Sequence, residues 1–281
     1  MIIDRLMDKI EQMQNPTVVG LDPTPDIMPQ NMGIFDFNKA IINEICDIVP
    51  AVKPQIAFYE QHGIAGLQAY IETISYARQK GMFVIADIKR GDISSTAQAY
   101  ADAHIGGGQF DVDFATINPY MGSDAIQPWL NNCQVYDKGL FVLVKTSNKG
   151  SSDFQDLIID GKTLYTIVGE NVEKWGAELV GNHGYSSVGA VVGATHPKEL
   201  ADMRKSLPCT FFLVPGYGAQ GGTAADIALA FDKNGKGAII NSSRGIIAAY
   251  KQEKYAGLDF AKAARQSAIN MRDDINNVLK G

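Results

Sequence analysis

The residues with the clearest capacity for chemistry are Asp87 and Lys89, in the segment Ala86-Asp-Ile-Lys-Arg-Gly-Asp-Ile-Ser-Ser-Thr96. They stand two apart at the end of an apolar run, Phe83-Val-Ile-Ala86. In an extended chain, residues two apart point to one face. An acid and a base side by side in an apolar setting must pair, because neither charge is tolerated there alone. Such an ammonium can act as a fixed cation and as a proton donor. Lysine suits both tasks, being compact with transferable protons, whereas arginine keeps its proton. Asp92 follows three residues later, off the run, and can approach from the rim or reach a neighbouring subunit. Read alone, an Asp-x-Lys pair is equally well explained as an ion pair that merely closes a strand end.

What must position these groups is a series of short apolar runs separated by amphipathic stretches. The pattern predicts strands near Thr17–Leu21, Ala51–Lys53, Met82–Ile88, Asp113–Asn118, Leu140–Lys145, Val188–Ala194, Phe211–Val214 and Ala238–Asn241. It predicts helices over Phe37–Ile48, Ile64–Gln79, Ser94–Ala103, Thr163–Trp175, Pro197–Ser206, Ala224–Phe231 and Phe260–Val278. Strands alternating with helices imply parallel pairing through crossover connections. Continuously apolar strands such as Phe141-Val-Leu-Val144 are buried on both faces. Polar residues gather just after the strand ends: Asp22, Lys53, Asn118, Lys145-Thr-Ser-Asn148, Pro215-Gly-Tyr-Gly218 and Asn241-Ser-Ser-Arg244. That edge carries the site in open α/β sheets and in barrels alike. Eight units favour an α/β (β/α)8 TIM barrel, a single domain over residues 1–281.

Composition excludes several classes. Of 281 residues, 46% are hydrophobic and 20% charged, which is globular rather than disordered or fibrous. A net charge of −6 provides no general basic field, so no nucleic-acid partner is expected, and an anionic small ligand would need local basic groups. The three cysteines, Cys46, Cys133 and Cys209, have neither metal nor redox spacing. With no apolar leader at the N-terminus and no run long enough to span a membrane, a cytoplasmic setting without membrane contact is expected.

Beyond its generic chemistry, Asp87-Ile-Lys89-Arg-Gly-Asp92-Ile-Ser-Ser-Thr96 resembles the D-x-K-x-x-D-I-x-x-T signature of orotidine 5′-phosphate decarboxylases. The resemblance continues through Val19-Gly-Leu-Asp22-Pro, Val52-Lys53-Pro-Gln-Ile-Ala-Phe58, Val144-Lys-Thr-Ser147-Asn, Val214-Pro-Gly-Tyr-Gly-Ala-Gln220-Gly-Gly and Asn241-Ser-Ser-Arg244-Gly. The length and the long piece after the fifth strand are similar to the family's longer bacterial branch.

The resemblance implies conversion of orotidine 5′-monophosphate to UMP and carbon dioxide, without cofactor or metal, in pyrimidine biosynthesis. It implies that Lys89 protonates C6 of the pyrimidine as carbon dioxide leaves. Asp87 and Asp92 would flank Lys89, with Asp92 supplied by the other subunit of a homodimer, and Lys53 would complete a chain of alternating charges. Asp22 and Thr96 would contact ribose hydroxyls, and Ser147 the base. Gln220 and Arg244, with backbone N–H groups near Gly218 and Ser243, would hold the phosphate. The chemistry asks for these types: loss of carbon dioxide leaves a carbanion with little delocalisation, and a cation fixed beforehand stabilises it with little reorganisation. Phosphate binding remote from the reacting carbon can raise the rate as well as the affinity.

Read without the resemblance, several of these residues have bland alternatives. Asp22 can start the turn at Pro23, Thr96 can be an ordinary helix residue, and Ser147 can belong to a polar turn. The piece Ser147–Lys162 is either a lid or a tolerated surface insertion. Gly216-Tyr-Gly218-Ala-Gln-Gly221 matches a dinucleotide fingerprint, but the next strand ends in the basic turn Asn241-Ser-Ser-Arg244 rather than in an acid. Gly161-Lys-Thr163 lacks the first glycine of a P-loop, since position 156 is Asp156. The four histidines form no metal pattern. Two rival functions stand beside the main one, with a dinucleotide enzyme a distant third. The first is a Mg²⁺-dependent sugar-phosphate enzyme of the same superfamily, in which a glutamate near the second strand binds metal; here that region carries Lys53, with Glu60 several residues beyond. The second is a non-catalytic phosphate-ligand module, because fold alone does not fix function.

Overall fold

The computed structural model describes residues 1–218 and 221–280. Eight parallel strands close a barrel: β1 (Thr17–Leu21), β2 (Ala51–Pro54), β3 (Phe83–Arg90), β4 (Phe114–Ile117), β5 (Gly139–Lys145), β6 (Ser186–Val192), β7 (Thr210–Pro215) and β8 (Ala238–Ser242). Each pairs with its neighbours in the sequence, and β8 returns to β1 with Thr17 opposite Ile240. The eight predicted strands are therefore present in the predicted (β/α)8 order.

Neighbouring residues on each strand serve different cores, as alternation requires. Val18, Ala51, Ile85, Phe114, Phe141, Phe211 and Ile239 fill the barrel interior. Val19, Val52, Val84, Ala115, Val142, Phe212 and Ile240 face the surrounding helices. The helix α1 (Ile2–Met13) plugs the interior from the N-terminal end of the strands, adding Ile2, Ile3, Leu6 and Met7 to the inner cluster. Its amphipathic sequence folds as a helix with one buried face, a packing role that charge pattern alone does not announce. Room for the large inner rings comes from Gly139, where a Cβ would lie 2.3 Å from the ring of Phe114.

The outer layer comprises α2 (Ile34–Ile45), α3 (Ala57–Glu60), α4 (Gly63–Gln79), α5 (Ser94–Ile105), α6 (Ser123–Tyr136), α7 (Leu164–Trp175), α8 (Pro197–Ser206), α9 (Ala224–Ala228), α10 (Arg244–Ile247) and α11 (Phe260–Lys280). The predicted helices do not include α6, which carries Pro128, a residue that cannot donate the helical hydrogen bond. Its apolar face, Ala125, Ile126, Trp129 and Cys133, is buried and carries the helix. The piece between β5 and α7 is also structured. Lys149–Asp153 forms a 3-10 turn, and Ile158–Ile159 pairs antiparallel with Lys162–Thr163. The turn between them is Asp160-Gly161, with φ of 50° and 80°, the left-handed pair that Asp-Gly supplies in tight hairpins.

No helix among the described residues is long and apolar enough to cross a membrane.

Candidate active site

The C-terminal ends of the strands open into a cavity of about 690 Å³. Its lining gathers the groups that the sequence scatters: Asp22 after β1, Lys53 on β2, Asp87 and Lys89 on β3, Ser147 after β5, and Ser243 and Arg244 after β8. Leu143, Val191 and Leu213 add an apolar wall.

At the centre stands one carboxylate between two ammonium groups. Lys53 Nζ donates to Asp87 Oδ2 at 2.6 Å, and Lys89 Nζ donates to Asp87 Oδ1. Lys53 and Asp87 are buried, whereas the Lys89 side chain is 44% exposed and faces the opening. Burial opposes ionisation of Asp87, but the charges of Lys53 and Lys89 outweigh it and hold the carboxyl well below its usual range. Burial likewise opposes the Lys53 ammonium, and Asp87 together with Asp22 overcomes it, so the pKa of Lys53 lies above its ordinary value. Asp22 Oδ1 is buried and has no hydrogen-bond partner among the described residues.

Asp87 follows Ile85 on the inward face, and Ile88 packs outward among the helices. Lys89 does not reach the same side by regular alternation. Its φ is 47°, a left-handed conformation, and the pairing of β3 with β4 shifts between Ala86 and Arg90. The side chain is re-aimed by an irregularity, as at many functional strand ends.

Ser243 sits where β8 turns into α10. Gly20, on β1, makes the space: a Cβ there would lie 1.8 Å from Ser243 Oγ. Arg244 follows, exposed on the cavity wall. Gly218 lies beside this cavity, lining a neighbouring one with Tyr217, Ser242 and Arg244; its φ of 73° is suited to glycine. Gln220 falls outside the described residues.

Two further predicted site residues, besides Gly218, do not join the cavity of this chain. Asp92 is half-buried on the rim, and its Oδ1 accepts a hydrogen bond from the Ile93 N–H at 2.8 Å. Thr96 is exposed on α5. Ile93, next to Asp92 in the chain, and Tyr120 and Met121, in the segment after β4, are exposed apolar side chains. The Glu60 carboxylate, relevant to the metal-dependent alternative, pairs with Arg90 at 2.6 Å and does not line the cavity.

The structure adds residues that the sequence reading does not single out as site residues. Thr116 on β4 and Asn241 on β8 line the cavity and are buried. Their signal was position at a strand end, which Thr116 shares with many structural threonines. Lys145, in contrast, is a strand-end lysine that leaves the cavity: it is 1% exposed and pairs with Asp156.

A closed parallel barrel with paired charges and an arginine at its C-terminal mouth defines a (β/α)8 enzyme site for a small anionic ligand. Residues 16–257 match the orotidine 5′-phosphate decarboxylase / HUMPS family, and the chain belongs to that family. The orotidine 5′-phosphate decarboxylase of Clostridium perfringens strain SM101 is 48% identical over 289 residues, spanning 99% of each chain. That of Petrotoga mobilis is 48% identical over 288 residues, again spanning 99% of each. Among solved structures, the OMP decarboxylase of Leishmania donovani is similar with a TM-score of 0.80 at 32% identity, covering 100% of this chain and 99% of its own.

Proposed function

We propose that this cavity decarboxylates orotidine 5′-monophosphate to UMP and carbon dioxide, with Lys89 as the proton donor. The bond between C6 and the carboxylate carbon breaks, its electron pair stays on C6, and carbon dioxide departs. The Lys89 ammonium gives a proton to C6 and is recharged from solvent. Asp87 fixes the ammonium before reaction, so the cation meets the developing carbanion with little reorganisation. Lys53 balances Asp87 from the buried side. No cofactor or metal takes part in these steps.

Asp22, on the cavity lining, receives a ribose hydroxyl. Ser147 contacts the base. Arg244 and Ser243, with Gly218 and Gln220, hold the phosphate. Asp92 and Thr96 serve the site of a second copy, Asp92 completing the charge chain and Thr96 meeting the ribose. Their position outside the cavity of one chain and the exposed Ile93 next to Asp92 support a homodimer. The chain works as one barrel domain, and the reaction belongs to pyrimidine biosynthesis in the cytoplasm.

The observation that carries this reading is the contact of Lys89 with Asp87 at the mouth of the barrel. The test follows the ultraviolet absorbance of orotidine 5′-monophosphate with EDTA-treated protein. Turnover unchanged by EDTA is expected; an absolute need for added Mg²⁺ would move the assignment to the metal-dependent relatives.

A further inference from the structure

Thr116 is 1% exposed, and one atom of it carries three interactions. Its hydroxyl accepts the backbone N–H of Ile88 at 2.9 Å and of Lys89 at 3.0 Å. It stands 3.3 Å from Asp87 Oδ1, to which it donates. A threonine hydroxyl has two acceptor lone pairs and one proton, so its whole capacity is spent on this one turn of β3.

The need for it lies in the strand pairing. Ala86 and Arg90 stand opposite Ala115 and Ile117, so four residues of β3 advance against two of β4. The extra residues have no regular ladder partners in a parallel pair. Ile88 and Lys89 fall within this irregularity, and Lys89 is the member with left-handed φ. A backbone conformation that L residues rarely adopt persists only where the surroundings over-determine it. The Thr116 hydroxyl supplies that constraint from the neighbouring strand, holding the backbone of Lys89 and the carboxylate that Lys89 touches.

We infer that Thr116 is a positioning residue for decarboxylation: its hydroxyl clamps the irregular end of β3 so that the Lys89 ammonium is aimed into the cavity. The inference rests on the proposed role of Lys89. Thr116→Val keeps the shape and removes the hydroxyl. Its kcat is expected to fall about tenfold or more, the scale of a lost hydrogen bond to a charged or strained group. UMP affinity, read by titration, is expected to stay within about threefold, because the phosphate and ribose contacts are untouched. Thr116→Ser, which restores the hydroxyl, should return kcat to within about threefold of the parent.

A Thr116→Val enzyme with kcat within about twofold of the parent would overturn the inference. So would a parallel loss of kcat and UMP affinity that serine does not rescue. If Thr116→Val and Thr116→Ala both fail to fold, the hydroxyl serves stability instead, and the inference falls. Lys89→Ala is assayed alongside. If it turns over normally, the proton-donor reading fails; if it is inactive while Thr116→Val is normal, only the clamp fails.

Discussion

The ammonium of Lys145 lies 2.5 Å from the carboxylate of Asp156, a buried lysine at the end of β5 paired with a half-exposed acid from the segment that follows. The same segment returns to the strand through Gln155, whose Oε1 accepts the Thr146 N–H at 2.9 Å and whose Nε2 donates to Thr146 Oγ1 at 2.8 Å. The aromatic face of Tyr165 lies 5.2 Å from the lysine nitrogen. The piece between β5 and α7 is thus anchored just beside Ser147. Asp156→Ala strands a buried charge and is expected to cost about 1–3 kcal/mol in urea unfolding. Lys145→Met removes the charge as well and is expected to cost less than Asp156→Ala. The reverse ranking would show that the ion pair does not hold this segment.

Lys89→Ala should abolish nearly all turnover, by at least about 10²-fold in kcat, since it deletes the general acid. The Lys53–Asp87 pair stays intact in the variant, so the fold should persist, with an unchanged circular dichroism spectrum. Near-normal kcat would remove Lys89 from the proton-donor role.

Arg244→Ala should lower kcat/KM for orotidine 5′-monophosphate by about 10- to 100-fold, the worth of a charge-assisted contact to phosphate. Orotidine without the phosphate should react equally in both enzymes. If both substrates lose the same factor, Arg244 acts on something other than the phosphate.

Asp92→Ala and Lys89→Ala, each inactive alone, should regain activity when subunits exchange. In a two-fold dimer, each heterodimer restores one complete site, so equal mixing should approach about a quarter of parental activity. Silence after mass spectrometry has shown mixed dimers would argue against a shared site.

Acid should weaken the fold in two windows. Burial pushes the His104 pKa down to about 4, below its unfolded value near 6.5, so the unfolded chain binds the proton first. Its contribution is present above about pH 6.5 and is lost as the pH falls toward about 4. Asp87 is also depressed, so its contribution is present above the unfolded carboxylate pKa near 3.8 and is lost below it. Urea midpoints for the parent should therefore begin to drop near pH 6, and His104→Phe should delay that drop toward pH 4. An identical acid limb in the variant would exclude His104 as its cause.

What the sequence determined is what short-range pattern can encode. Runs such as Phe83–Ala86 and Phe141–Val144 must be strands buried on both faces, and polar residues at their ends mark the edge of the site. The identities of Asp87, Lys89, Lys53 and Arg244 were legible there too, because their types and positions are written in the chain. Only the closed barrel decided which of them meet. Lys53 and Asp87 are 34 residues apart and touch because β2 and β3 lie side by side. Lys89 and Lys145 both end strands, yet register shifts set their directions: one faces the cavity and the other turns to Asp156. Alternation with a period of two is a local rule, and it fails where neighbouring strands fall out of step. There the direction of a side chain is fixed by hydrogen bonds from another strand, such as those of Thr116, which no local pattern contains.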